Sequence, residues 1–122
     1  MISKQRGAVL EIVFADRKLE KICNDHKILV RKYGHTNAKR IRRRLDDLDA
    51  AENLAVMKSL FPGRLHPLTG DKSGQFSLDL VHPLRLIFEP ADEPPAIKED
   101  GSIDWVRVQR VRIVSIEDTH NR

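Results

Sequence analysis

Residues 64–88 read RLHPLTGDKSGQFSLDLVHPLRLIF, and their pattern sets the architecture of the chain. Residues 64–68 predict a short edge strand, because Pro67 cannot donate to a ladder on both sides. The run Thr69-Gly70-Asp71-Lys72-Ser73-Gly74 has turn composition and places Lys72 at an exposed tip. Over 75–80, Phe76, Leu78 and Leu80 alternate with Gln75, Ser77 and Asp79, so one face is covered and one is open. His82-Pro83 marks a tight turn. The same period then buries Leu84, Leu86 and Phe88 and leaves Arg85 on the open face, so three antiparallel strands are expected. His66, Lys72 and Arg85 come from different parts of this small sheet, and each is a group that binds phosphate or moves a proton.

Before this stretch, residues 8–14 alternate as a strand does and lead to Asp16, a helix N-cap. Leu19, Ile22, Cys23, His26, Leu29, Val30 and Tyr33 recur at three- and four-residue intervals, so a helix over 17–33 is expected to lie on the sheet. Asn24-Asp25 is a candidate break, and Gly34 a C-cap. Thr36 or Asn37 can cap a second helix with a buried stripe of Ala38, Ile41, Leu45 and Leu48. Its other face carries Lys39, Arg40, Arg42, Arg43 and Arg44, then Asp46, Asp47 and Asp49. That face is either a solvated surface laced with charge pairs or a basic ridge that meets phosphate or an acidic partner. Residues 53–60 look like a last short helical turn, ended by Pro62-Gly63.

After it, residues 91–105 are rich in Pro, Asp and Glu and read as a long surface loop. Residues 106–120 form the final strand, β-branched from Val111 to Ile116 and therefore central. A strict period of two puts Asp118 and His120 on one face with Val114 and Ile116. The expected order is β-α-α-β-β-β-β: an α+β domain in which an N-terminal strand and a helical pair pack on a twisted antiparallel sheet.

A chain of 122 residues accommodates one domain with its own core, spanning 1–122. The formal net charge of +4 permits nucleic acid or an acidic protein as partner. The single cysteine, Cys23, excludes an internal disulfide and a cysteine-rich zinc site and fits a reducing compartment. The N-terminal apolar run is too short for a signal-peptide core, and no run approaches the roughly 20 apolar residues that span a bilayer. A cytoplasmic location without membrane contact is therefore expected.

Metal-free cleavage of RNA needs the ribose 2′-OH deprotonated, the leaving 5′-oxygen protonated and the phosphorane charge neutralised. His66 and His120 titrate near neutrality and suit the proton transfers. Arg85 offers a planar fork to phosphate and Lys72 a point charge, while Asp118 is placed to orient a histidine. An arginine inside an apolar strand also needs a partner, for which Asp79 and Asp118 are the candidates. Arg64, Lys39, Arg40 and Arg43 form the expected RNA-binding set. His26, His35 and His82 read as structural or surface groups. A metal site from Asp118 and His120 would need ligands that no spacing supplies, and no cofactor is implied.

The run RLHPLTGDKSGQFSLDLVHPLRLIFEP, with the terminal IVSIEDTH and the upstream NAKRIRRRLDDLDAAENLAVM, resembles the RelE/HigB-type toxins of bacterial type II toxin-antitoxin systems, in their HigB-like killer-protein branch. The resemblance covers residues 11–120. It implies a small RelE-like α+β domain, ribosome-dependent mRNA cleavage, and inhibition by a cognate antitoxin, commonly a helix-turn-helix protein. Under it, His66 resembles the family's strand histidine, Lys72 its basic turn residue, Arg85 its phosphate-binding arginine, and Asp118 and His120 its C-terminal pair. Thr119 stands where relatives often have a tyrosine, and a threonine cannot stack on a base. The alternative is a non-catalytic protein of the same fold, either a ParE-like topoisomerase inhibitor or an inactive toxin that only binds its antitoxin.

Overall fold

The computed structural model describes residues 9–60 and 64–118. Strand β1 (Glu11–Phe14) is followed by α1 (Arg17–Cys23), α2 (His26–Ala50) and α3 (Leu54–Leu60), then β2 (Leu65–Pro67), β3 (Phe76–Asp79), β4 (Leu84–Pro90) and β5 (Arg110–Asp118). The five strands form one sheet in the order β1-β5-β4-β3-β2. The architecture is α+β, as the pattern of elements predicts.

Side chains acting as caps set the helix starts. Asp16 accepts from the Leu19 amide at 2.8 Å, Asp25 from those of Lys27 and Ile28 at 3.0 and 3.3 Å, and Asn53 from that of Val56 at 3.0 Å. Each satisfies an amide that the first helical turn leaves without a partner. The expected helix over 17–33 is thus broken at Asn24-Asp25. Gly34 bends the chain rather than ending the helix: at φ 87° and ψ 164° it lies outside helical geometry inside α2, a conformation open to glycine. Asn37 does not cap the second arm. Its side-chain oxygen accepts from the Val81 amide at 2.9 Å, 44 residues away, and ties α2 to the turn after β3.

β2, β3, β4 and β5 are antiparallel neighbours, whereas β1 pairs parallel with β5, from Glu11↔Arg110 to Phe14↔Ile113. The sheet is therefore mixed, not wholly antiparallel as expected. Alternation reports which face a residue takes but not the direction of its strand, and a parallel pair needs the long crossover that the intervening chain supplies.

All three helices cover one face of the sheet. The α2 stripe of Ala38, Ile41, Leu45 and Leu48 is buried with Leu65, Phe76, Leu78, Leu86, Phe88, Val111 and Ile113 in one apolar cluster, each large side chain contributing roughly 1.5–3 kcal/mol on burial. Residues 91–109 are not a simple surface loop. Ala96 and Val108 are buried in the same cluster, and Asp92 accepts from the amides of Gln109 and Arg110. Trp105 meets the Phe76 ring edge-on at 5.0 Å. The segment closes the end of the core beside α3, where the Ala55 amide donates to the Trp105 carbonyl at 3.1 Å. The end of α3 at Pro62-Gly63 lies outside the described residues.

Candidate functional site

The ladder registers determine which side chains share the uncovered face. Asp79 stands opposite Arg85 and Arg85 opposite Glu117; one row along, His66 stands opposite Ser77, Ser77 opposite Ile87, and Ile87 opposite Ser115. Residues paired across a ladder project to the same side. β2 through β5 thus present His66, Asp79, Arg85 and Glu117 together, while Leu65, Leu78, Leu86 and Ile116 turn toward the helices. The centre of this face is not bare: Ser77 and Ile87 are only 0% and 2% exposed.

Asp79 is the hub. The His66 Nε2 lies 3.3 Å and the Arg85 Nε 3.6 Å from the same carboxylate oxygen, Oδ1, which brings the two nitrogens within about 7 Å of each other. The imidazole also approaches Oδ2 at 3.4 Å. Both groups remain about one-third exposed, so a ligand can reach them. Of the two acids expected to partner Arg85, the structure selects Asp79. Beside the hub, the Ser115 hydroxyl donates to Glu117 at 2.6 Å.

The backbone of Asp79 is held from two sides. Its amide donates to the Arg64 carbonyl at 3.2 Å, and its carbonyl accepts from the Arg44 Nε at 3.2 Å. Arg44 is 4% exposed and also donates to Asp47 at 3.2 Å. It is therefore not part of a solvated face, as its place in the Arg-rich run suggested. Burial pulls its pKa down, Asp47 opposes that shift, and the nearby guanidinium groups of Arg40 and Arg64 add to it.

Other expected site residues fall elsewhere. Asp118 stands opposite Leu84, so it projects to the side away from Arg85, and Glu117 takes the place expected of it. The cause is a β-bulge: Ile87 pairs with Ser115 but Phe88 with Ile113, leaving Val114 as an extra residue. One extra residue exchanges the faces of everything beyond it. Lys72 closes a single 3-10 turn, Gly70–Lys72, and is half-buried rather than at an exposed tip. That turn joins β2 to β3 at the end away from Asp79. Four residues of strand, about 13 Å, separate Gln75 from Asp79, so Lys72 is not beside Arg85. Thr119 and His120 lie outside the described residues.

The basic ridge belongs to the helical layer. Arg42 pairs with Asp46 at 3.4 Å, and Arg43 reaches Asp47 at 4.0 Å, so the charge-pair reading describes that part of α2. Lys39 and Arg40 have no ion pair among the described residues. With His26, His35, Thr36 and Arg43 they line a groove of about 640 Å³ at the bend of α2. Arg40 lines the same groove as Lys39 and Arg43, and its charge and that of Arg64 both bear on Arg44, whose guanidinium reaches the backbone of Asp79.

Sequence reasoning named Asp79 only as a possible partner for Arg85 and passed over Glu117. A polar residue within an alternating strand marks the open face but not the side chains it meets there. Among the described residues, no three His, Cys, Asp or Glu side chains converge as a metal site requires, and no helix is long and apolar enough to cross a membrane. Comparison with protein-family models, curated proteins and solved structures gives no match to this chain.

Proposed function

We propose that the chain is the toxin of a type II toxin-antitoxin pair, an endoribonuclease that cuts messenger RNA on the ribosome by metal-independent acid-base chemistry. The observation that carries this reading is the convergence of His66 and Arg85 on one carboxylate at an exposed sheet face. An imidazole that moves a proton and a guanidinium that neutralises a phosphorane stand within one phosphodiester's reach, and the likeness of the 64–90 and C-terminal runs to RelE/HigB-type toxins points the same way.

In this reading His66 takes the proton of the ribose 2′-OH as the 2′-oxygen bonds to phosphorus. Arg85 leaves Asp79 for the phosphate oxygens, where a charge-assisted fork is strongest. The bond from phosphorus to the 5′-oxygen breaks, and that oxygen takes a proton from a second group, for which His120 is the remaining imidazole of the proposed set. The products are a 2′,3′-cyclic phosphate and a 5′-hydroxyl. Arg64 and Arg40 carry the flanking backbone, Lys72 the strand leaving the site, and Lys39 and Arg43 a more distant RNA or protein contact. The protein acts in the cytoplasm, and a cognate antitoxin keeps it silent.

Primer extension on a translated message after induction tests this, with wild type beside Arg85→Ala and His120→Ala. Cuts that require ribosomes and disappear in both variants support it; growth arrest with intact message refutes it. A second reading, a non-catalytic binding protein of the same fold, draws on the self-neutralised face: Arg112 is held by Glu89 at 2.6 Å and Arg110 by Glu11 at 3.0 Å. DNA damage accompanying growth arrest would favour it.

A further inference from the structure

We infer that Asp79 is the positioning residue of this site: it sets which nitrogen of His66 handles the proton and holds Arg85 alongside until a phosphate draws the guanidinium away. The inference rests on the nuclease reading above and gives the carboxylate on which its two groups converge a role of its own.

Asp79 is built to stay in place. Its amide and carbonyl are both bonded, to the Arg64 carbonyl and by the buried Arg44 guanidinium, so the strand end cannot drift. Its Oδ1 is closed off from solvent yet has no partner of hydrogen-bond geometry. Buried carboxylate oxygens ordinarily have a donor. This one has instead two nitrogens at ion-pair range, the Nε2 of His66 at 3.3 Å and the Nε of Arg85 at 3.6 Å. The imidazole's hydrogen bond goes to the other oxygen, Oδ2, at 3.4 Å, so departure of Arg85 leaves the carboxylate to tighten on His66.

An ionised carboxylate only accepts. The nitrogen facing Asp79, Nε2, must therefore bear the hydrogen, and in a neutral ring Nδ1 is then the lone-pair nitrogen. Nδ1 is the atom that takes the 2′-OH proton. The ring becomes imidazolium, and Asp79 carries the opposing charge. When Arg85 transfers to the incoming phosphate, the carboxylate serves His66 alone, so substrate binding strengthens the base. The charged groups that bear on this carboxylate are His66 from β2, Arg85 from β4, Glu117 from β5 behind Arg85, Arg64 at the start of β2, and Arg44 from α2 through the backbone.

The test is imidazole nitrogen NMR on the purified chain without RNA, together with the pH profile of cleavage on programmed ribosomes. For wild type, His66 is expected as the Nε2–H tautomer. In Asp79→Asn the amide can donate to Nε2, and the expected outcome is a shift toward Nδ1–H. Cleavage should fall about 100-fold, and the acidic limb of its pH profile should move to lower pH. Asp79→Glu, which keeps the charge, should restore the tautomer and part of the rate, and it decides the matter if Asp79→Asn does not fold. An Nδ1–H tautomer in the wild type, or one unaltered by Asp79→Asn, overturns the assignment. The Nε2–H tautomer in a wild-type protein that cuts no translated message supports the Asp79–His66 coupling and overturns the nuclease reading instead.

Discussion

Arg44, buried in the second arm of α2, donates from Nε to the backbone carbonyl of Asp79 at 3.2 Å, joining the helical layer to the strand end that carries the candidate site. The same guanidinium donates to Asp47, so a charged group inside the protein has a carboxylate and a backbone carbonyl among its partners. Such a group is costly to strip of either partner.

Arg44→Met should lower unfolding free energy by about 2–3 kcal/mol, because it removes charge-assisted bonds and leaves Asp47 without this partner. Asp47→Ala should cost at least as much, since it leaves the buried guanidinium with less compensation. Urea midpoints with unchanged m-values check both.

Gly34→Ala should destabilise the chain by about 1–3 kcal/mol. No atom lies within 4 Å of where the added Cβ would sit, so the cost comes from φ 87° and not from a clash. A thermal melt that shows no loss would mean that the bend of α2 relaxes freely.

Burial pushes the Cys23 thiol up from 9.0 to about 11, against the opposing pull of Arg42. A raised pKa means that the fold prefers the protonated form. The associated stability is complete below about pH 9 and is lost as pH rises toward 11. Wild type should therefore lose more stability than Cys23→Ala between those pH values, and native Cys23 should resist alkylation at pH 8 until the protein is unfolded. Paired denaturation curves and a thiol-labelling time course test the two statements.

Under the nuclease reading, Arg85→Ala should reduce message cleavage by about 100- to 1000-fold, the usual cost of removing a group that stabilises developing charge. Arg85→Lys should fall between, since an ammonium supplies charge without the planar fork. The side chain is about one-third exposed, so both variants should melt close to wild type. Single-turnover cleavage on programmed ribosomes measures the effect.

Local chemistry was enough to read several features from the residues alone. The cap at Asp16, the break at Asn24-Asp25 and the buried stripe from Ala38 to Leu48 follow from propensity and period. So do the inward set Phe76, Leu78, Leu86 and Phe88 and the outward turn of Arg85, because alternation along a strand needs no knowledge of its neighbours. Other features depend on partners distant in the chain. The parallel pairing of β1 with β5, the burial of Arg44 beneath Asp79, and the capture of Asn37 by Val81 leave no periodic trace. The bulge at Val114 puts Glu117 rather than Asp118 opposite Arg85, since one unpaired residue reverses every later side chain, and only the register with β4 reveals it. Which polar groups gather around Asp79 was likewise a matter of three strands meeting side by side, a geometry that belongs to the ladder and not to any one of them.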